Sequence, residues 1–276
     1  MVRLIVTDLD GTLLNDDKHI PDDNVIALRE AMEKGVHVSI ATGRNFGSAK
    51  RYMKELGLDV PVILQNGAFI YQWMEDKVIY KSDLKSEVAK LIVEKAREKG
   101  LFYIVYMDFL EEKDMYIDTN YSGEFLSYLK QNEWRINYVS DVVNYISNRD
   151  SIAEVALVGD EEKIKSIVEN DLFIFGESVS VVKNNRINSE VFYEFFGPNS
   201  SKDISFNYLL KYFNVKPEET MYLGDNYNDI GMLKIVGYPV VMENAPDEVK
   251  KYAKYVSKSN NEAGVAYAIR KLVLGR

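Results

Sequence analysis

Two aspartates occur close together near the start of the chain, in the segment Asp8-Leu9-Asp10-Gly11-Thr12. The segment follows a short apolar run, which predicts a buried strand that ends at Asp8. Side chains two positions apart in an extended segment point to the same side, so both carboxylates can face one site. Carboxylate oxygens bind Mg²⁺, and a carboxylate can also attack phosphorus to form an aspartyl-phosphate. The alternative is structural, with Asp10-Gly11 forming a turn and Asp8 capping it.

A hydroxyl and a glycine occur together in Thr42-Gly43-Arg44, directly after a second predicted strand. A hydroxyl and free backbone N–H groups at the start of a helix form a binding site for an anion such as phosphate. The alternative is a threonine that caps the helix beside a glycine turn, which needs no ligand.

Acids and amides alternate in the segment that runs from Gly224 to Asp229, which follows a third predicted strand. Asp225 and Asp229 offer further oxygen ligands for a metal ion, and the Asn228 amide can donate a hydrogen bond to phosphate. The alternative is a turn in which these short polar side chains bond to the neighbouring backbone and cap the next helix.

Lys202 begins a predicted helix, and a single lysine in this position is usually solvated surface. It becomes a candidate because a site that cleaves phosphate esters needs a fixed cation to stabilise the negative charge of the transition state. Lys202 is therefore a candidate site residue only in combination with the acids and the hydroxyl found elsewhere in the chain.

The elements that must position these residues alternate between strand and helix at both ends of the chain. This rhythm predicts an α/β fold with a doubly wound, mostly parallel sheet, whose strand ends gather the candidate residues. Between residues 83 and 194 the pattern changes to that of an inserted α+β domain with an antiparallel sheet. The sequence thus predicts a core formed by residues 1–82 and 195–276. The strands predicted for that core are residues 4–6, 36–40, 62–64, 220–223, 239–242 and 255–256.

Composition excludes several classes of protein. The chain of 276 residues has a net charge of −9, which disfavours broad binding to nucleic acid or to anionic membranes. It has no cysteine and two histidines, so disulfides, thiolate nucleophiles, cysteine-bound metals and histidine-rich metal sites are excluded. No apolar run is long enough to span a membrane. We expect a cytoplasmic protein, and the oligomeric state is not predicted.

Together, these motifs resemble the four signature motifs of the haloacid-dehalogenase-like superfamily. Asp8 to Thr12 match the first, Thr42 the second, Lys202 the third, and Gly224-Asp225 with Asp229 the fourth. The long insertion resembles a C2B cap, and the segments Asn66-Gly67-Ala68, Asn228-Asp229 and Met242-Glu243-Asn244-Ala245 resemble the Cof-type phosphatases. One departure is Asp203, which follows the lysine where the family often has glycine.

The resemblance implies a Rossmann-like core and a Mg²⁺-dependent phosphatase that acts on a small phosphorylated metabolite, such as a sugar phosphate, through an aspartyl-phosphate intermediate. The inserted cap would close over the leaving group and supply specificity. A phosphomutase or phosphotransferase on the same scaffold, and a receiver-like phosphoacceptor, are the alternatives. The resemblance implies that Asp8 is the nucleophile and Asp10 the general acid and base. The implied metal ligands are Asp8, Asp10 (through its carbonyl) and Asp225, with Asp229 as their support. The implied phosphate donors are Leu9, Thr42, Gly43, Lys202 and Asn228, and Arg44 is implied to contact substrate beyond the phosphate.

Overall fold

The computed structural model describes residues 1–276. Its strands are β1 (Leu4–Thr7), β2 (His37–Ile40), β3 (Val62–Leu64), β4 (Phe69–Gln72), β5 (Lys77–Lys81), β6 (Leu84–Lys85), β7 (Phe102–Tyr106), β8 (Met115–Ile117), β9 (Ile136–Tyr138), β10 (Ser151–Ile152), β11 (Glu154–Gly159), β12 (Ser180–Ile187), β13 (Glu190–Phe196), β14 (Thr220–Gly224), β15 (Tyr238–Val241) and β16 (Tyr255–Val256). Its α-helices are α1 (Asp22–Glu33), α2 (Phe46–Leu56), α3 (Ser86–Lys99), α4 (Leu126–Gln131), α5 (Val142–Ser147), α6 (Glu161–Ser166), α7 (Lys202–Phe213), α8 (Ile230–Ile235), α9 (Asp247–Lys250) and α10 (Gly264–Ile269).

The chain forms two compact units. The first contains Met1–Arg44, Ser48–Tyr80 and Ser201–Arg276, and the second contains Asn45–Gly47 and Lys81–Ser200. No helix in either unit combines the length and the apolar character that crossing a bilayer requires.

The first unit is built on a five-stranded sheet in the order β16-β15-β14-β1-β2, and every pair in it is parallel. In the central strand Ile5 lies opposite both Met221 of β14 and Val38 of β2. Strands β1 and β14 are buried along their whole length, as expected for parallel strands with helices on both faces. The prediction of an α/β fold with a parallel sheet is confirmed.

The strand order decides where the polar loops meet. Because β1 lies between β14 and β2, the carboxyl ends of these three strands lie side by side at one end of the sheet. Asp8 and Asp225 directly follow β1 and β14, and Thr42 follows β2 after one intervening residue. The topology therefore brings three segments from distant parts of the sequence to one place, where ligands bind in open α/β sheets.

Strand β3 corrects the predicted sheet. It pairs with β4 in a separate three-stranded sheet in the order β3-β4-β5, and one bridge between Ala41 and Ile63 links it to the edge of the parallel sheet. The reason is the turn at residues 65–67, where the backbone adopts left-handed conformations and sends the chain back alongside β3. The strand itself was correctly predicted from sequence.

The second unit contains a six-stranded sheet in the order β12-β13-β11-β7-β8-β9. Its pairs are antiparallel, as predicted, except that of β8 with β9, which is parallel. Helix α3 contributes Val88 and Ile92 to the apolar core beneath the sheet. Between residues 108 and 150 the elements are three to six residues long, too short for a hydrophobic period to mark them.

Candidate active site

Asp8 and Lys202 form a buried ion pair at the carboxyl end of the central strand. The Asp8 backbone N–H donates to the carbonyl of Leu223 at 2.9 Å, which extends the pairing of β1 with β14 by one residue. Lys202 begins α7, capped by Ser201, and its Nζ donates to Asp8 Oδ1 at 2.8 Å. The Lys202 side chain is 1% exposed, and a lysine is buried to this extent only when it is paired.

Both carboxylate oxygens of Asp229 accept hydrogen bonds from neighbouring residues at this end of the sheet. Its Oδ1 accepts from Lys202 Nζ at 2.7 Å and from the Tyr222 hydroxyl at 2.5 Å. Its Oδ2 accepts from the backbone N–H groups of Asp225 at 2.9 Å and Asn226 at 3.0 Å. Four donors therefore satisfy both oxygens, so the side chain holds the lysine and the loop in place. Sequence analysis missed Tyr222, because a tyrosine within an apolar strand gives no signal of its own.

Asp225 lies over the glycine of the first motif. Its Oδ1 accepts from the Thr12 hydroxyl at 2.8 Å. Gly11 has a φ of +74°, and a Cβ at that position would lie 2.3 Å from Asp225 Oδ2. The glycine is therefore required both by its backbone conformation and by the close approach of the carboxylate.

Three carboxylates and one lysine leave surplus negative charge at this site. Oxygens of Asp8, Asp225 and Asp229 all lie within 4.8 Å of one another. Burial, opposed by the charge of Lys202 and assisted by that of Asp229, raises the pKa of Asp8 to about 7. Burial, together with the charges of Asp229 and Asp8, raises the pKa of Asp225 well above its usual value.

The donor set fits a hard divalent cation. The hydrogen bonds of Asp8 and Asp225 use Oδ1 of each, which leaves an Oδ2 on each carboxylate to act as ligand. Carboxylate and carbonyl oxygens are the preferred ligands of Mg²⁺, which would also neutralise the surplus charge. The chemistry of the residues therefore supports the predicted metal site, with Asp229 in a supporting position.

Asp10 is held by two cations. Arg44 donates from Nε to Oδ2 at 2.5 Å and from Nη2 to Oδ1 at 2.7 Å, while Lys18 Nζ donates to Oδ1 at 2.8 Å. Burial favours the neutral acid, but the hydrogen bonds and charges of Arg44 and Lys18 outweigh it and lower the pKa of Asp10 to about 2. Arg44, expected to contact substrate, is thus bound to Asp10 here. Lys18 was missed because it lies in a loop without periodicity.

The predicted phosphate donors surround the same strand ends. Thr42 is buried, and its hydroxyl accepts from the Arg44 backbone N–H at 3.1 Å, which leaves the hydroxyl proton for another acceptor. The Leu9 side chain is fully buried, so this residue can face the site only with its backbone. A Cβ on Gly43 would lie 3.2 Å from Asn66 Nδ2, so this loop is closely packed.

Asn66 holds the amide of Asn228. The Asn228 Nδ2 donates to Asn66 Oδ1 at 2.8 Å. Asn66 has a φ of 52° and lies between Gln65 and Gly67, which also have positive φ values. The Asn-Gly pair after a strand is a sequence signal for such a turn, and it could have identified Asn66 as a residue of the site.

Comparison with known proteins places this geometry in a family. A family model described as haloacid dehalogenase-like hydrolase matches residues 5–269. "Putative phosphatase M6_Spy0533" of Streptococcus pyogenes is 30% identical over 99% of this chain and 99% of its own length. The "5-amino-6-(5-phospho-D-ribitylamino)uracil phosphatase YwtE" of Bacillus subtilis is 27% identical over 100% of this chain and 99% of its own.

The fold is also similar to that of a solved structure from the same family. A haloacid dehalogenase-like hydrolase from Bacteroides thetaiotaomicron superposes with a TM-score of 0.80 and is 28% identical. The superposition covers 99% of this chain and 100% of that one. The similarity thus extends over both compact units, and the resemblance predicted from the four motifs is confirmed.

Proposed function

The chain belongs to the haloacid dehalogenase-like hydrolases and is a phosphatase of that family, and on this premise we propose that it hydrolyses the phosphate monoester of a small metabolite with Mg²⁺. The observation that carries this proposal is the buried cluster of Asp8, Lys202 and Asp229 beside Asp225. This cluster brings together the proposed nucleophile, a fixed cation and a surplus of carboxylate oxygens at the carboxyl end of a parallel sheet.

Asp8 is the proposed nucleophile. A carboxylate oxygen attacks phosphorus in line, so that an Asp8–phosphorus bond forms while the bond from phosphorus to the leaving oxygen breaks. Lys202 keeps the attacking group oriented and places a positive charge beside the phosphoryl oxygens. Water then attacks phosphorus in the aspartyl-phosphate, which releases inorganic phosphate and restores the Asp8 carboxylate.

Asp10 is the proposed acid and base of these two steps. In the structure it accepts hydrogen bonds from Arg44 and Lys18, which lower its pKa and favour the carboxylate form that takes a proton from the attacking water. In the first step it donates a proton to the leaving alcohol, which requires that a phosphate ester at the site draws away the positive charge of Arg44. Proton transfer of this kind accelerates reactions about 10²–10⁴-fold.

The remaining residues hold the ester and the metal ion. Mg²⁺, when bound, would stabilise the charge that develops on the phosphoryl group. Its proposed ligands are Asp8, Asp225 and the backbone carbonyl of Asp10, and Asp229 fixes the loop that carries Asp225. The proposed phosphate donors are the Thr42 hydroxyl, the Asn228 amide, the Lys202 ammonium and the backbone N–H groups of Leu9 and Gly43.

We also propose that residues 1–82 and 195–276 are the catalytic core and that residues 83–194 are a cap that sets specificity. Support for a polyol or sugar phosphate as substrate comes from the Bacillus subtilis relative, which is named for a compound with a phosphorylated ribityl chain. The absence of cysteine and the small-molecule substrate fit a cytoplasmic enzyme.

The test is a panel of sugar phosphates, sugar-alcohol phosphates, nucleotides and phosphorylated cofactors, assayed for phosphate release with Mg²⁺ and with a chelator. Asp8→Asn should lower activity on the order of 10³-fold or more while the protein stays folded. Asp247→Asn changes an aspartate whose side chain is 94% exposed and serves as the matched control. Activity that survives Asp8→Asn or complete chelation would contradict the proposal, as would transfer of phosphate to a second sugar instead of water.

A further inference from the structure

Lys18 lies in the loop after β1, and its ammonium contacts the carboxylate of Asp10 with an Nζ–Oδ1 distance of 2.8 Å. The two side chains are 42% and 41% exposed. Building on the proposed function, we infer that Lys18 is a positioning residue that holds Asp10 in the orientation from which it transfers a proton to the leaving alcohol.

The backbone conformation at Lys18 directs this side chain towards Asp10. Its φ of 62° lies in the left-handed region, which is uncommon for residues other than glycine. The Lys18 N–H donates to the carbonyl of Asn15 at 3.0 Å, and the His19 N–H donates to Asn15 Oδ1 at 2.9 Å. These bonds close a tight turn and return the lysine side chain towards Asp10.

The turn is also tied to a helix. The Tyr52 hydroxyl donates to the Lys18 carbonyl at 2.9 Å, and Arg51 Nη2 donates to the same oxygen at 3.3 Å. Tyr52 lies in α2 and is 1% exposed. An exposed ion pair usually contributes little, because ordering two long side chains costs entropy. Here the backbone of the lysine is already fixed, which gives the contact a defined direction.

Lys18 and Arg44 reach Asp10 from different segments. Arg44 comes from the loop after β2 and binds both carboxylate oxygens, whereas Lys18 comes from the loop after β1 and meets Oδ1. Two cations on different loops restrain the carboxylate more than the arginine alone, because the side chain can move only by breaking contacts to both loops.

The restraint matters most while the proton moves. In the first step the O–H bond of the Asp10 carboxylic acid breaks, an O–H bond to the leaving oxygen forms, and the phosphorus–oxygen bond breaks. Negative charge then returns to the Asp10 carboxylate, which the contact with Lys18 keeps in place. Lys18 gives up no proton and touches no reacting atom in this scheme.

The leaving group provides the test. An alkyl alcohol needs a proton as it departs, whereas p-nitrophenolate leaves readily without one. We expect Lys18→Met to lower kcat about 10- to 100-fold with an alkyl ester such as glycerol 3-phosphate, and less than about threefold with p-nitrophenyl phosphate. KM should change little for either substrate. Lys18→Arg, which keeps the cation, should restore most of the loss, and Tyr52→Phe should show the same selectivity to a smaller extent.

Lys34→Met, at an exposed lysine at the end of α1, is the matched control and should leave both rates unchanged. An equal loss with both substrates would show a merely structural role and overturn the inference, and so would rates that do not change. If the enzyme still requires Asp8, either of these results contradicts only the role of Lys18 and leaves the proposed function intact. Activity that persists in Asp8→Asn contradicts the proposed function instead.

Discussion

Replacement of Lys202 by methionine removes the one cation among three carboxylates, of which Asp8 and Asp229 are buried. The two ion pairs of Lys202 have lengths of 2.8 Å to Asp8 and 2.7 Å to Asp229. Breaking a buried pair by removing one partner costs about 3–5 kcal/mol. Asp229 keeps three donors, the Tyr222 hydroxyl and two backbone N–H groups, so the uncompensated charge falls mainly on Asp8. We therefore expect the lower end of that range, about 3 kcal/mol.

The size of this loss should depend on pH. The charge of Lys202 lowers the pKa of Asp8, so its removal raises that pKa further above the value of about 7. Below that raised pKa the Asp8 carboxyl of the folded variant binds a proton and carries no charge, and the penalty shrinks. The destabilisation should thus be largest above pH 8 and smaller at pH 5, and Mg²⁺ should recover part of it at the higher pH.

The assay is urea unfolding followed by circular dichroism at pH 5 and pH 8, with Mg²⁺ and with a chelator. A loss of about 3 kcal/mol is a large part of the 5–15 kcal/mol typical of whole domains, so it is easily measured. Lys211→Met lies on the same helix at an exposed position and should leave the free energy of unfolding unchanged. The reasoning is refuted if Lys202→Met is as stable as the parent at pH 8, or if the loss is the same at both pH values.

Three further outcomes follow from the same geometry. The raised pKa of Asp8 means that the metal-free folded protein binds more protons than the unfolded chain between about pH 4 and 7, so the contribution of Asp8 to stability falls as pH rises through that window. Asp8→Asn should reduce this fall in chelator titrations and leave the part that belongs to Asp225, whose pKa is also raised. Gly11→Ala should destabilise the protein and lower kcat, because a Cβ would lie 2.3 Å from Asp225 Oδ2; unchanged unfolding and kinetics would contradict the close approach. Asp225→Asn should raise the Mg²⁺ concentration needed for half-maximal activity at least about tenfold, and an unchanged requirement would exclude Asp225 as a ligand.

Much of the site could be predicted because strand ends are readable from sequence. The apolar runs before Asp8, Thr42 and Asp225 predict strands, and parallel strands place their carboxyl ends together. The topology was therefore accessible from three short segments, although strand β3 was assigned to the wrong sheet. Its departure depends on the left-handed backbone at Gln65 and Asn66. The Asn66-Gly67 pair signals a turn there, but it does not indicate which sheet the strand joins.

The contacts around Asp10 could not be predicted in the same way. The Lys18–Asp10 pair depends on a turn whose carbonyl is bound by Tyr52, a residue 34 positions away. No period or motif in the sequence links these residues. Similarly, the Tyr222 hydroxyl reaches Asp229 because the strand and the following loop fold back on each other, a tertiary contact that composition and spacing leave undetermined.

The most direct test of the central claim is to trap the covalent intermediate. The protein is mixed with a substrate found in the panel and Mg²⁺, quenched within one turnover, and treated with borohydride, which reduces an aspartyl-phosphate to an alcohol. Peptide mass spectrometry should then find the reduced side chain at Asp8, and it should find none in samples without substrate. Turnover with no reduced residue at Asp8, or with the modification at another carboxylate, would contradict the assignment of Asp8 as the nucleophile.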